Sequence, residues 1–155
     1  MKAPLHIVLY QPEIPPNTGN IARLCACTGC SLHLVHPLGF EVSDKYLKRA
    51  GLDYWSYLNV YHHETWNALR DALQTTGRWF ALSTKATQTI WQTDFAPDDV
   101  LVFGPETRGL PEQIRTDMQA LKIPIRDDVP VRSLNLASAC AVTVYEALRQ
   151  IKLHP

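Results

Sequence analysis

In Val100-Leu101-Val102-Phe103-Gly104-Pro105-Glu106-Thr107-Arg108-Gly109-Leu110 an apolar run stops at a glycine–proline pair, and a carboxylate and a guanidinium follow. A short apolar run bounded by residues that break regular structure has the pattern of a buried strand. In an open α/β sheet, sites form beyond the carboxyl ends of strands, which is where Glu106 and Arg108 would fall. Gly104 would let a ligand approach the backbone closely there. The plainer alternative is that Glu106 and Arg108 pair with each other.

Working outward, Leu5–Tyr10 and Ser31–Val35 read as strands, the second by its alternation. Arg78–Thr84 reads as a third, Val100–Phe103 is the fourth, and Lys122–Ile125 is a fifth whose Pro124 suggests an edge. Between the first two, Pro15 and Pro16 suggest a loop, with Asn17 capping a helix that stops at Gly29. Asp44–Ala50 looks like a short helix ended by Gly51. An aromatic stretch follows (Tyr54, Trp55, Tyr57, Tyr61), and Glu64–Leu73 then has helical spacing. The last helix, Asn135–Lys152, is apolar nearly all round in its first half, which predicts burial on several sides. Strands alternating with helices predict one α/β domain, residues 1–155, with a mainly parallel sheet flanked by helices.

The 155 residues carry 15 Lys+Arg against 15 Asp+Glu and are 46 % hydrophobic, a composition that excludes a disordered chain. Apolar stretches are far shorter than the roughly 20 residues of a membrane helix. The first ten residues lack a signal-peptide pattern, so a soluble, cytoplasmic protein is expected. Zero net charge argues against nucleic acid as a partner. The arginines Arg23, Arg49, Arg108, Arg126 and Arg132 nevertheless fall in or beside the motif loops, whereas Asp94, Asp98 and Asp99 cluster elsewhere.

Cys25, Cys27 and Cys30, with Cys140 as a distant fourth, invite a metal reading. The spacing is wrong for a Cys-x-x-Cys pair, and free cysteines suit a small apolar helix face. His33, His36, His62 and His63 match no ligand motif, so no metal is expected. The GxGxxG, Walker and GxSxG fingerprints are absent.

Two further segments resemble Gly104–Leu110 in sitting where strands meet loops or helices. One is Asn17-Thr18-Gly19-Asn20-Ile21-Ala22-Arg23; the other is Val131-Arg132-Ser133-Leu134-Asn135-Leu136-Ala137-Ser138-Ala139. Taken singly, Asn17, Ser133 and Asn135 read as helix caps and Arg23 as a solvated arginine. In this order and at these separations, the three segments resemble the signature motifs of the SPOUT superfamily of RNA methyltransferases. Longer strings, Pro12–Asn20, Arg49–Trp55 and Phe103–Pro111, are similar to the small members that methylate the ribose of tRNA nucleotide 34.

That resemblance implies a homodimer whose carboxy-terminal half forms a deep trefoil knot, a topology that chain-connection rules alone would reject. It implies S-adenosylmethionine bound mainly by backbone, at Leu82, Gly104, Ile123, Ser133 and Leu134. It implies a tRNA anticodon stem-loop as substrate, met by Arg49, Arg108 and Arg132. The reaction would be attack of a ribose 2'-hydroxyl, of cytidine or modified uridine, on the cofactor's methyl group. Arg23 would lie beside that hydroxyl. Deprotonating a guanidinium at pH 7 costs roughly 7 kcal/mol, so a cation that favours the alkoxide suits Arg23 better than a general base. Glu106 would orient Arg23 or the substrate, Ser133 and Asn135 would hold the catalytic loop, and Tyr145 would support the site across the dimer. The loop Arg126–Val131, with Asp127 and Asp128, is longer than in the family. Other expectations stay open: a SPOUT enzyme acting on a different tRNA or rRNA nucleotide, or a non-catalytic RNA-binding dimer.

Overall fold

The computed structural model describes residues 3–40 and 56–152. Its sheet has six strands, all parallel, in the order β3-β2-β1-β5-β4-β6. These are β1 (Leu5–Tyr10), β2 (Ser31–Val35), β3 (Val60–His63), β4 (Trp79–Leu82), β5 (Asp99–Phe103) and β6 (Gln119–Leu121). The helices are α1 (Pro15–Thr28), α2 (Trp66–Ala72), α3 (Glu112–Arg115) and α4 (Leu136–Ile151). Central β5 is buried along its whole length, which is why its sequence is apolar without alternation.

The two faces of β1 sort the core. Leu5, Ile7 and Leu9 join Ile21, Cys25, Cys140 and Val144 beneath α1 and α4. Val8 joins Val100, Val102, Leu69 and Leu73 on the α2 side. The buried thiols Cys25, Cys30 and Cys140 pack as small apolar groups, and burial pushes all three up, Cys25 and Cys140 well above the usual thiol range.

Several expectations need correction. Pro15 and Pro16 do not make a loop; they form the first turn of α1, where a missing N–H costs nothing. Asn17 is therefore inside the helix and does not cap it; the N-cap position is Ile14. The far end is as expected, with Gly29 in the left-handed region and its N–H donated to the Cys25 carbonyl. The strand expected at Lys122–Ile125 lies earlier, at Gln119–Leu121, and Ile123–Ile125 follows it as irregular chain. Ser31–Val35 is a strand but is buried at every position, despite its alternating pattern. β3 falls in the aromatic and histidine-rich stretch that carried no strand signal. The helix expected at Asp44–Ala50, with Gly51 and Arg49, lies outside the described residues. Finally, α4 is not covered all round: Val142 and Tyr145 are exposed on one side of it.

Candidate active site

Strand order reverses between β1 and β5, which are neighbours although β2, β3 and β4 separate them in sequence. The loops leaving their carboxyl ends, Gln11–Ile14 and Gly104–Leu110, thus diverge from one point. An open α/β sheet has its natural crevice at such a point.

The two loops are tied together reciprocally. The Glu106 carboxylate accepts hydrogen bonds from the backbone N–H groups of Glu13 (2.9 Å) and Ile14 (2.6 Å). In return, the Glu13 carboxylate accepts from the backbone N–H (3.0 Å) and hydroxyl (2.7 Å) of Thr107. Ile14 has no side chain able to cap α1, and Glu106 instead binds the N–H groups just before its first turn from across the crevice, where the helix dipole favours a negative charge. Hydrogen bonds from Thr107, aided by nearby Arg108, hold the Glu13 carboxyl below its usual range. Arg108 has its Nε 3.8 Å from Glu13, and its guanidinium also donates to the Gln11 amide oxygen at 3.5 Å.

Buried Asn17 extends this junction to the third motif. Its Nδ2 donates to Glu106 at 3.3 Å, and its Oδ1 accepts from Asn135 Nδ2 at 3.0 Å. The Asn135 Oδ1 caps α4, accepting from the N–H groups of Ala137 and Ser138. One buried amide therefore couples the start of α1, the loop after β5 and the start of α4. An amide suits this place because it donates to a carboxylate and accepts from a second amide at once.

Strand register assembles the other expected positions. Leu82 pairs with Phe103 on one side and Leu121 on the other. Leu82, Gly104 and Ile123 consequently lie at or just beyond three adjacent strand ends, all half-buried. Gly104 has a reason beyond the one expected. A Cβ there would lie 2.4 Å from the Leu110 nitrogen and 2.6 Å from the Gly109 carbonyl carbon, so the glycine is required by the loop's own return. Gly109 makes that return with a left-handed φ of 69°.

Arg132, Ser133 and Leu134 are exposed on the segment leading into Asn135. Arg23 is exposed on α1, eight residues and about 12 Å of helix beyond Pro15. Tyr145 stands apart, about 15 Å along α4 from Asn135 and on its exposed side. Arg126 is not a free cation: its Nε donates to Asp128 at 2.6 Å. Asp98 and Asp99 precede or open β5, at the opposite end of the strand from Gly104, and Asp99 is paired there with Arg78 at 3.0 Å. Among the described residues, no group of three or more His, Cys, Asp or Glu could hold a metal ion. Sequence reasoning missed Glu13 altogether and read Asn17 as a cap. Their partners lie 89 to 118 positions away, and the pairing of β1 with β5 and the packing of α1 on α4 bring them close.

Residues 4–145 match the model of the SpoU rRNA Methylase family. The chain is 54 % identical over 149 residues to the tRNA (cytidine(34)-2'-O)-methyltransferase of Acidovorax sp. (strain JS42), covering 94 % of this chain and 91 % of the relative. It is 49 % identical over 150 residues to the protein of that name from Escherichia coli (strain K12), covering 95 % and 94 %. A solved structure described as giving structural insights into the 2-OH methylation of C/U34 on tRNA is 50 % identical. It superposes with a TM-score of 0.88 over 94 % of this chain and 95 % of that one.

Proposed function

The chain belongs to the SpoU methylase family, and we propose that it is an S-adenosylmethionine-dependent methyltransferase acting on the ribose 2'-hydroxyl of the wobble nucleotide of tRNA, cytidine or modified uridine 34. The observation that carries this reading is the Glu106–Asn17–Asn135 junction, which gathers three motif loops at the switch point. Relatives matched over nearly their whole length bear the name of that activity.

The residues present fit the cofactor. Leu82 and Ile123 give apolar, half-buried edges at neighbouring strand ends, and Leu134 is a large apolar side chain left exposed beside Asn135. Such a donor set suits an adenine and a sulfonium gripped largely by main chain, together with Gly104 and Ser133. When bound, S-adenosylmethionine supplies a methyl group on a good leaving group, so the protein's task is alignment and charge stabilisation. Arg23, exposed and always cationic, would sit by the 2'-hydroxyl and favour the alkoxide as its proton leaves. Glu106 acts at one remove, by fixing the start of the helix that carries Arg23. Asn135 and Ser133 hold the segment between Ile123 and α4. Arg108 and Arg132, both exposed, would meet the anticodon stem-loop, with Arg49 as a further contact.

A second copy of the chain would cover Val142 and Tyr145, the uncovered side of α4, and bring Tyr145 toward the partner's site. A homodimer of this kind, with the segment from β6 to α4 threaded as a trefoil knot, is part of the proposal. Among the described residues no helix is long and apolar enough to cross a membrane. With tRNA as substrate, the cytoplasm is the proposed location. No metal is required for the reaction so described.

The test is mass spectrometry of tRNA digested from a strain lacking the protein, alongside tRNA methylated in vitro. Loss of 2'-O-methylation at nucleotide 34, restored by the purified protein, is expected. An unchanged wobble nucleotide overturns the reading.

A further inference from the structure

Glu13 is an acidic residue on the surface proposed to receive RNA, and its carboxylate serves two neighbours with different needs. One oxygen accepts from the N–H and hydroxyl of Thr107 at 3.0 and 2.7 Å. The other lies 3.8 Å from Arg108 Nε. The first set of contacts fixes the loop after β5, since the Glu13 N–H in turn donates to Glu106. The second couples a carboxylate to one of the exposed arginines on the RNA side, whose side chain is 59 % exposed.

Building on the proposed function, we infer that Glu13 is a positioning residue that fixes the Thr107–Arg108 loop and, through its charge, restrains Arg108 so that tRNA is bound less tightly than the loop would otherwise allow. The contact between Glu13 and Arg108 is long, partly exposed and not bidentate. A phosphate, which accepts two hydrogen bonds from a guanidinium, competes with it readily. When Arg108 turns to the phosphate, the Glu13 carboxylate is left facing the same anion, and that repulsion weakens binding. Position and charge are separable because Thr107 asks only for an acceptor oxygen, which an amide also offers.

Two substitutions divide the roles. Glu13→Gln keeps an acceptor for Thr107 and removes the charge. It should lower KM for an anticodon stem-loop by a factor of about 2 to 5 at low salt, move kcat less than KM, and make log KM more salt-dependent. Glu13→Ala removes the acceptor as well and should lower kcat by about tenfold, through misplacement of the loop. Glu13→Gln thus rescues what Glu13→Ala loses. In an Arg108→Ala background the KM gain of Glu13→Gln should vanish, because the cation it releases is gone.

Wild-type and variant proteins are assayed with tritiated S-adenosylmethionine and a wobble-cytidine stem-loop across a salt series. If wild type does not methylate nucleotide 34, the proposed function fails and the inference falls with it. If wild type is active but Glu13→Gln matches it in KM and salt slope, the charge role is overturned. If Glu13→Ala retains wild-type kcat, the positioning role is overturned. A simple loss of folding in Glu13→Ala would show as a lower concentration of active sites in cofactor titration, with the KM of the remaining sites unaltered, and this too counts against the inference.

Discussion

Two polar networks sit on the same sheet and obey opposite electrostatic rules. At the carboxyl ends of β1 and β5, the side chains of Glu13 and Glu106 are each held by N–H or O–H donors at a helix start or loop. Across β1, β2 and β3, on the face that carries α2, the polar groups are mostly histidines drawn out of water. His6 Nε2 lies 2.6 Å from Asp98, His6 Nδ1 2.8 Å from Ser31, Ser31 3.2 Å from His33 Nε2, and His33 Nδ1 2.9 Å from His63 Nε2. Asp98 can only accept when ionised, so with neutral rings every bond in the chain runs toward it, from His63 onward. Burial, with His63 and His6 nearby, pushes His33 down to about 3. The first network fixes the loops that the proposed function brings against a charged substrate. The second ties the edge strand β3 to the sheet through a relay of histidine and serine hydrogen bonds that ends on Asp98. One should therefore answer to ligand and salt, and the other to acid.

The largest effect that would sharpen this contrast lies in the first region. Arg23→Ala should reduce methyl transfer by at least about a hundredfold, since a lost charge at a developing oxyanion costs that order. Cofactor binding, measured by equilibrium dialysis, should persist. Transfer at the wild-type rate would mean that the charge of this region is not used in catalysis.

A smaller effect is expected of Asn17→Ala, which leaves Asn135 Nδ2 and one Glu106 lone pair without their buried partner. Such losses cost about 1–3 kcal/mol of stability, read from the shift of a urea unfolding midpoint. The destabilisation should come with reduced transfer, because three loops lose their common tie. A neutral Asn17→Ala in both assays would mean that the junction is incidental.

Asn17 also marks how far the sequence reaches. The parallel α/β class, β1, β2, β4, β5 and the long helices α1 and α4 were legible, because apolar runs and the punctuation of Gly29 and Asn135 act locally. The motif residues were legible as a set and not as a geometry. Nothing local says that Asn17 binds Glu106, or that Glu13 holds Thr107; parallel pairing of β1 with β5 creates both contacts. Pro15 and Pro16 misled because proline breaks a helix everywhere except its first turn. β3 was illegible because His62 and His63 are poor strand signals, and their places are secured by partners on β2 and just beyond it. At Gly104 only half of the reason was legible, since the returning backbone at Gly109 and Leu110 demands the same missing side chain as a ligand would.

The second region carries the last prediction. His33 faces His6 with its partner Asp98, then Ser31, Tyr61 and His63, and the ring of Tyr61 stacks on it at 4.9 Å. None of these neighbours is placed to welcome a proton on His33. His63 on the same face is also held below its usual range, by burial and then by His62 and His36. So is His62 on the other face, by burial and then by His36, to which it hydrogen-bonds at 2.8 Å. A histidine with a folded value below its unfolded one, near 6.5, adds stability that is fully present above that value. It is lost as pH falls below, and for His33 the loss continues to about 3. Between pH 7 and pH 5, His33 alone should forfeit about 2 kcal/mol. Urea midpoints at the two pH values should therefore differ in the wild type, and the difference should shrink in His33→Gln, which has no ring to protonate. Equal pH dependence in the two proteins would overturn the role given to His33, because the acid response would then arise from other groups, His62 and His63 among them.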